Sequence, residues 1–264
     1  MVTYFPENSL LSAWSNGRSG LCPACRQKRS DELDAAEMSK AKGEMDDRRE
    51  RWRQTCGIPP KYTLSGFQQF DKSWQPKAFA VVREYAENFP IRAPEGYKSL
   101  VLYSTKSWGT GKTHLACAVA HHILSRWNGE TGICPVRFVS EPVLFKTIRE
   151  TYSYSPLEKE TKSSESDIIN SLIRVPLLIL DDLGKEDVAD LRFVQRTLFA
   201  IIDGRYNLDL PVLVTANLDD AGLRAHMGGA TENEASFNRL MEMCKSTMIR
   251  MDGKSYRDKL AGDK

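Results

Sequence analysis

A strand-like run that breaks into glycines, a lysine and a threonine, and then resumes with helical spacing, limits what this chain can fold into. Ser99–Thr105 (SLVLYST) has the composition of a buried strand. Lys112–Trp127 carries Leu115, Val119 and Ile123 on one helical stripe, with Ala116, Ala120 and Leu124 beside it. Between them stands Trp108-Gly109-Thr110-Gly111-Lys112-Thr113. A strand–turn–helix of this kind aims consecutive backbone N–H groups and a helix N-terminus at phosphate oxygens. Lys112 is expected to reach the β- and γ-phosphates of ATP, and the Thr113 hydroxyl to ligate Mg2+. Trp108, Gly109, Thr110, Gly111 and His114 complete the expected nucleotide contacts. The usual phosphate-loop pattern has a glycine where this chain has Lys106, and Gly109 offers the backbone freedom in its place. A coincidental GTGKT on an ordinary turn is the alternative, and it predicts no phosphate binding.

The rest of the chain alternates strand and helix. Helical spacing is expected over 78–89, 143–152, 167–174, 191–202 and 236–245, and strands over 136–139, 177–180, 212–214 and 247–251. Ser153–Ser166 (SYSPLEKETKSSES) reads as an exposed polar loop. This alternation predicts an α/β layered domain with a largely parallel sheet. Residues 1–56 differ. A run of mixed charge from Arg26 to Arg53, interrupted by Gly43, predicts a solvated helix, and Gly57-Ile58-Pro59-Pro60 marks the boundary. The expected division is 1–56 as a partner-binding segment, 57–76 as a linker and 77–264 as the main domain.

Charge narrows the function classes. Among 264 residues, 37 Lys and Arg stand against 35 Asp and Glu, a net charge of +2 that excludes a polybasic nucleic-acid binder but not a local basic groove. No apolar stretch reaches the ~18 residues of a membrane span, and Met1–Trp14 lacks the pattern of a signal peptide. Six cysteines are too few for a disulfide scaffold, so a reducing cytoplasm is the expected compartment.

The second chemical motif is Leu177-Leu178-Ile179-Leu180-Asp181-Asp182, a buried strand that ends in two carboxylates. Such a strand delivers its acids to the sheet edge, beside the phosphates. Asp181 is expected to hold Mg2+, and Asp182 to orient and polarise the attacking water as a general base. A strand-ending turn at Asp181-Asp182-Leu183-Gly184 is the alternative. Asn217, at the end of the next strand, has an amide that can bridge the water and the γ-phosphate; on its own it is also a common turn-former.

The ordered set GTGKTHLA (109–116), LLILDDLG (177–184), IIDGRYNLDLPVLVTANL (201–218), NRLMEMC (238–244) and GKSYR (253–257) resembles the AAA+ ATPases of the DnaC/DnaI/IstB type. The upstream GIPPKY (57–62) resembles the segment that leads into their core, so the likeness covers about residues 57–258. It implies an AAA+ P-loop core with a parallel sheet of order 5-1-4-3-2, preceded by a small, mainly helical N-terminal domain. By position it implies that Asn217 is sensor 1, that Arg257 is sensor 2, and that Arg239 is an arginine finger reaching the nucleotide of a neighbouring subunit. Self-association with nucleotide at subunit interfaces follows. The sequence departs from the family at Lys106, at Asp182 where part of the group has Glu, and at Asn238 where Ser is common.

The family divides by task. One branch loads a hexameric replicative helicase onto single-stranded DNA, and the separate segment before residue 57 resembles its helicase-gripping domain. The IstB branch assists a transposase on duplex DNA. A third reading is a binding module that uses ATP as a switch with negligible hydrolysis. A small-molecule kinase finds no lid or substrate pocket in the pattern. The loader reading is the leading expectation, with slow hydrolysis stimulated by partner or DNA.

Cys22 and Cys25 form C-x-x-C, and Cys56 follows 31 residues on. Three thiolates supply three of the four ligands Zn2+ prefers, and DnaI-like N-domains carry zinc, so a zinc site stands beside the alternative of three reduced cysteines. Cys117, Cys134 and Cys244 fall in the core pattern. Trp52, Trp74 and Trp108, near Arg51 and Lys106, suit either stacking on single-stranded bases or packing. His121 and His122 show no metal-ligand spacing.

Overall fold

The computed structural model describes residues 23–105, 108–128, 132–184, 190–228, 234–245, 248–253 and 255. Five strands form one parallel sheet: β1 (Leu100–Tyr103), β2 (Val136–Ser140), β3 (Leu177–Leu183), β4 (Val212–Ala216) and β5 (Met248–Arg250), in the order β2-β3-β4-β1-β5. This is the expected 5-1-4-3-2 order read from the other edge. Connecting parallel neighbours requires crossovers, and helices supply them. The helices are α1 (Pro23–Thr55), α2 (Pro76–Glu87), α3 (Lys112–Arg126), α4 (Glu141–Thr151), α5 (Pro156–Thr161), α6 (Glu165–Arg174), α7 (Leu191–Asn207), α8 (Asp220–His226) and α9 (Ala235–Met243).

The sheet is buried on both faces, which explains the unbroken apolar runs in its strands. Side chains alternate between two cores because successive Cβ atoms leave opposite faces. Leu100, Leu102, Leu177, Ile179 and Leu213 join one core with α2 and α3. Val101, Leu178, Leu180, Val212 and Val214 join the other with α4, α7 and α9. Strand ends that emerge from such a double-sided core are fixed in place, and β1, β3 and β4 end together.

The chain divides into two units at Glu50/Arg51. Helix α1 is 33 residues long, about 50 Å at 1.5 Å per residue, and its sole buried residue is Trp52. That polar surface matches the expected solvated helix. Trp52 and the following Cys56 belong to the second unit's core, and the Cys56 carbonyl accepts the Phe138 N–H at 2.7 Å. Gly57 lies at φ +94, and a Cβ there would stand 2.2 Å from the Phe138 carbonyl oxygen, so only glycine lets the chain turn against β2.

Two expectations give way to structure. Ser153–Ser166 is not a plain loop: Ser155 with Glu158, and Ser164 with Asp167, form capping boxes that start α5 and α6. Each is a serine followed three residues on by an acid, a signal legible in the sequence. Helix α8 lies outside the expected elements; Asp219 caps it by accepting the Gly222 N–H at 2.9 Å.

Arg205 of α7 is wholly buried. Its guanidinium donates to the carbonyls of Leu172, Ile173, Val175, Pro176 and Pro211. It thus ties the end of α6 to the starts of β3 and β4, where backbone carbonyls would otherwise be buried without donors. Burial pushes its pKa down to about 9, still high enough to keep its charge at neutral pH. Arg205→Met strands these carbonyls and should cost at least ~3 kcal/mol. For a domain of this size that lowers the thermal midpoint by roughly 6–12 °C, read by calorimetry. A variant that melts with the wild type would refute the clamp.

Candidate nucleotide site

The ends of β1, β3 and β4 meet at a cavity of about 520 Å3. Its floor is the loop from Trp108 to His114, its acidic wall is Asp181 and Asp182, and Asn217 stands at one side. The opposite wall comes from the segment before α2: Pro59, Lys61, Tyr62, Phe70 and Trp74. All of the expected nucleotide-contacting residues, from Trp108 to His114, therefore line one cavity with the expected acids.

The loop geometry follows from its glycines. Gly109 has φ +78 and Gly111 has φ +93, a left-handed region open to glycine at little cost. Gly111 caps α3, so the first N–H groups of that helix open toward the cavity. A Cβ on Gly111 would come within 2.6 Å of the Phe70 ring. Lys112 is buried, and its ammonium donates to the Ser104 hydroxyl at the end of β1. A buried ammonium on the floor of a cavity suits an anionic ligand.

Asp181 is 4% exposed and joins two strands to the loop helix. The Thr113 hydroxyl donates to its Oδ1 at 3.0 Å and lies 3.3 Å from Oδ2. The Thr215 hydroxyl donates to Oδ1 at 2.7 Å and accepts the Asp182 N–H at 2.9 Å. Sequence pattern alone does not single out Thr215; its place in Thr-Ala-Asn at a strand end is the available signal. Asp182 sits at φ +62, uncommon for a residue with a side chain, and its Oδ1 accepts the Asn217 amide N–H at 3.2 Å. The β3–β4 register shifts between Leu180 and Leu183, so the bulge that turns Asp182 out of the ladder coincides with this strain.

Hard oxygen donors from Thr113 and Asp181 beside a phosphate loop fit Mg2+, which takes one or two protein ligands together with phosphate oxygens. Mg2+ bound there would supply positive charge to neutralise the phosphates. Thr113 and Asp181 are the residues that would hold it.

His114 lines the cavity and is held by the segment before α2. Its Nε2–H donates to the Gly66 carbonyl at 3.0 Å, and its ring meets Phe70 edge-on at 5.3 Å. Burial lowers its pKa, and the bond to the Gly66 carbonyl works against that shift. His121 Nε2 likewise bonds the Tyr62 carbonyl at 3.1 Å. Residues 57–76, expected as a linker, thus dock on α3 and wall the cavity. Trp74 and Trp108 both line it, Trp108 being 65% exposed, while Trp52 is core.

Other expected residues lie elsewhere. Arg239, on α9, pairs with Asp203 of α7 at 2.6 Å and lies over the rings of Phe199 and Tyr206; it is not among the cavity's lining residues. Arg257, Lys106 and Cys22 fall outside the described residues. Nothing among the described residues supports the zinc expectation. Cys25 sits in the first turn of α1 and is exposed. Cys56 is buried, its thiol donates to the Arg53 carbonyl, and burial raises its pKa away from the thiolate a metal needs. Among the described residues no cluster of His, Cys, Asp and Glu could hold a metal ion, and no helix is long and apolar enough to cross a membrane.

A five-stranded parallel sheet in this order, with a phosphate loop after β1 and an acid pair at the end of β3, defines a P-loop ATP-binding protein of the AAA+ class. The profile of the family described as IstB-like ATP binding protein matches residues 95–262, and the chain belongs to that family. It is 26% identical over 209 residues to the replicative helicase loader DnaC of Buchnera aphidicola subsp. Baizongia pistaciae, covering 78% of this chain and 75% of the relative. To the replicative helicase loader DnaC of Escherichia coli K12 it is 23% identical, covering 78% and 74%. Among solved structures, the DnaC helicase loader shares the fold with a TM-score of 0.53 at 23% identity, covering 74% of this chain and all of that one.

Lys112→Ala removes the charge-assisted phosphate contact, worth ~1.5–3 kcal/mol. ATP affinity measured by titration calorimetry should fall roughly 10–100-fold. Unchanged affinity would refute the assignment of the phosphate loop.

Proposed function

We propose that this chain is an ATP-dependent loader of a replicative DNA helicase onto single-stranded DNA, acting as an oligomeric AAA+ ATPase. The observation that carries the reading is a phosphate loop, two acids and an amide on one cavity, in a chain whose relatives, over 78% of its length, are named replicative helicase loaders.

In this reading Lys112 and the N–H groups of 109–113 hold the β- and γ-phosphates. Asp182 polarises and orients the attacking water, and Asn217 bridges that water and the γ-phosphate. The Asn217–Asp182 hydrogen bond supports this division of labour. Arg239, half-buried at 31% and away from its own chain's cavity, suits delivery to a neighbour's nucleotide once it leaves Asp203. An arginine supplied in trans stabilises transition-state charge. Arg257 is the second sensor. The segment 1–56, with its polar helix, is the part that grips the helicase. With a net charge of +2, one subunit binds DNA weakly, and ATP-driven assembly strengthens binding by repeating a small basic lining.

Asp182→Asn should keep ATP binding within about twofold and lower turnover ~10²-fold or more, since it removes the base and leaves the phosphate contacts. A pull-down with ATP from native lysate should recover a hexameric helicase, and the Asp182→Asn variant should hold it longer. Recovery of a transposase with duplex-DNA filaments instead supports the IstB-like helper. Zero turnover with DNA and helicase present supports an ATP-switched binding module.

A further inference from the structure

Glu141 and His226 form a buried ionisable pair outside the set of groups assigned to hydrolysis. Glu141 is the first residue of α4 and 1% exposed; His226 ends α8 and is 8% exposed. Neither lines the cavity. The carboxylate divides its oxygens: Oε2 accepts the Gly184 N–H at 2.7 Å, and Oε1 accepts from His226 Nε2–H. Burying a carboxylate and an imidazole is costly unless their bonds are made, so their sites are fixed relative to each other.

Gly184 lies two residues beyond Asp182, at φ +87, and a Cβ there would stand 2.3 Å from Leu218 Cδ1. Leu218 follows Asn217, whose amide donates to Asp182. A closed ring results. It runs from Asp182 through Gly184 to Glu141, then through His226 and helix α8 back to Asn217. Asp182 has a strained backbone at a register shift, so the ladder alone does not hold its carboxylate. Thr215 fixes its N–H from one side, and the Glu141–Gly184 bond fixes the chain just after it.

We propose that Glu141 and His226 are positioning residues for hydrolysis, holding the 182–184 turn so that Asp182 and Asn217 share one water. This rests on the assignment of Asp182 as the base. A carboxylate misplaced by about 1 Å costs rate steeply and binding little, because the phosphate contacts lie elsewhere.

His226→Leu keeps the volume and removes the donor; His226→Gln keeps a donor. His226→Leu should lower kcat for ATP roughly 10-fold with KM within about twofold, and His226→Gln should recover more than half of the loss. In an Asp182→Asn background His226→Leu should cause no further fall, since the group it positions is gone. Glu141→Gln carries the same comparison if leucine at 226 prevents folding, as judged by thermal melting. Wild-type turnover in His226→Leu, a raised KM with unchanged kcat, or the same fractional loss with and without Asp182 would each overturn the proposal. A wild-type chain with no ATP turnover overturns the hydrolysis reading first, and this one with it.

Discussion

One buried carboxylate gathers the functional end of the sheet. Asp181 accepts the hydroxyls of Thr113, from the phosphate-loop helix, and Thr215, from the neighbouring strand. A carboxylate at 4% exposure survives only with its hydrogen bonds made, so the three elements are held at one separation. The same Thr215 hydroxyl anchors the Asp182 N–H. One hydroxyl is therefore bonded to both acids. Without it Thr113 would still hold Asp181 to the loop, but the Asp182 N–H would lose this partner.

The segment before the first core helix contributes more than a connection. Phe70 lies against Gly111, and the Gly66 and Tyr62 carbonyls accept hydrogen bonds from His114 and His121 of α3. A polar linker would leave one side of the cavity open to water. Here Tyr62, Phe70 and Trp74 line that side. The glycine at 111 answers two demands at once, a left-handed cap and an approaching ring.

Much of this was legible along the chain. The double-sided burial of a parallel sheet writes Leu177–Leu180 as an unbroken apolar run, and the acids after it can only emerge at the strand's end. The glycines of the loop and the stripe of α3 were equally clear. The serine boxes of α5 and α6 were legible too, but polar composition around them reads as loop when local capping is not weighed. The zinc reading rested on C-x-x-C and a distant third cysteine, a spacing that says nothing of what the intervening chain does, and among the described residues no cluster of metal-ligating side chains answers it.

The sequence by itself determined the layered α/β class, the order of strands implied by the family likeness, and the residues of the phosphate loop and acid pair. The class and the motif residues follow from periodicity and local chemistry, and the strand order from the family resemblance alone. Only the tertiary structure decided that Phe70 and Trp74 wall the cavity, that Thr215 bridges both acids, that Arg205 ties carbonyls of α6 to those just before β3 and β4, and that Glu141 meets His226 across 85 residues. Each of these is a hydrogen bond or a packing contact between segments far apart in the chain. Its partner is set by how the layers stack, and no local pattern records it.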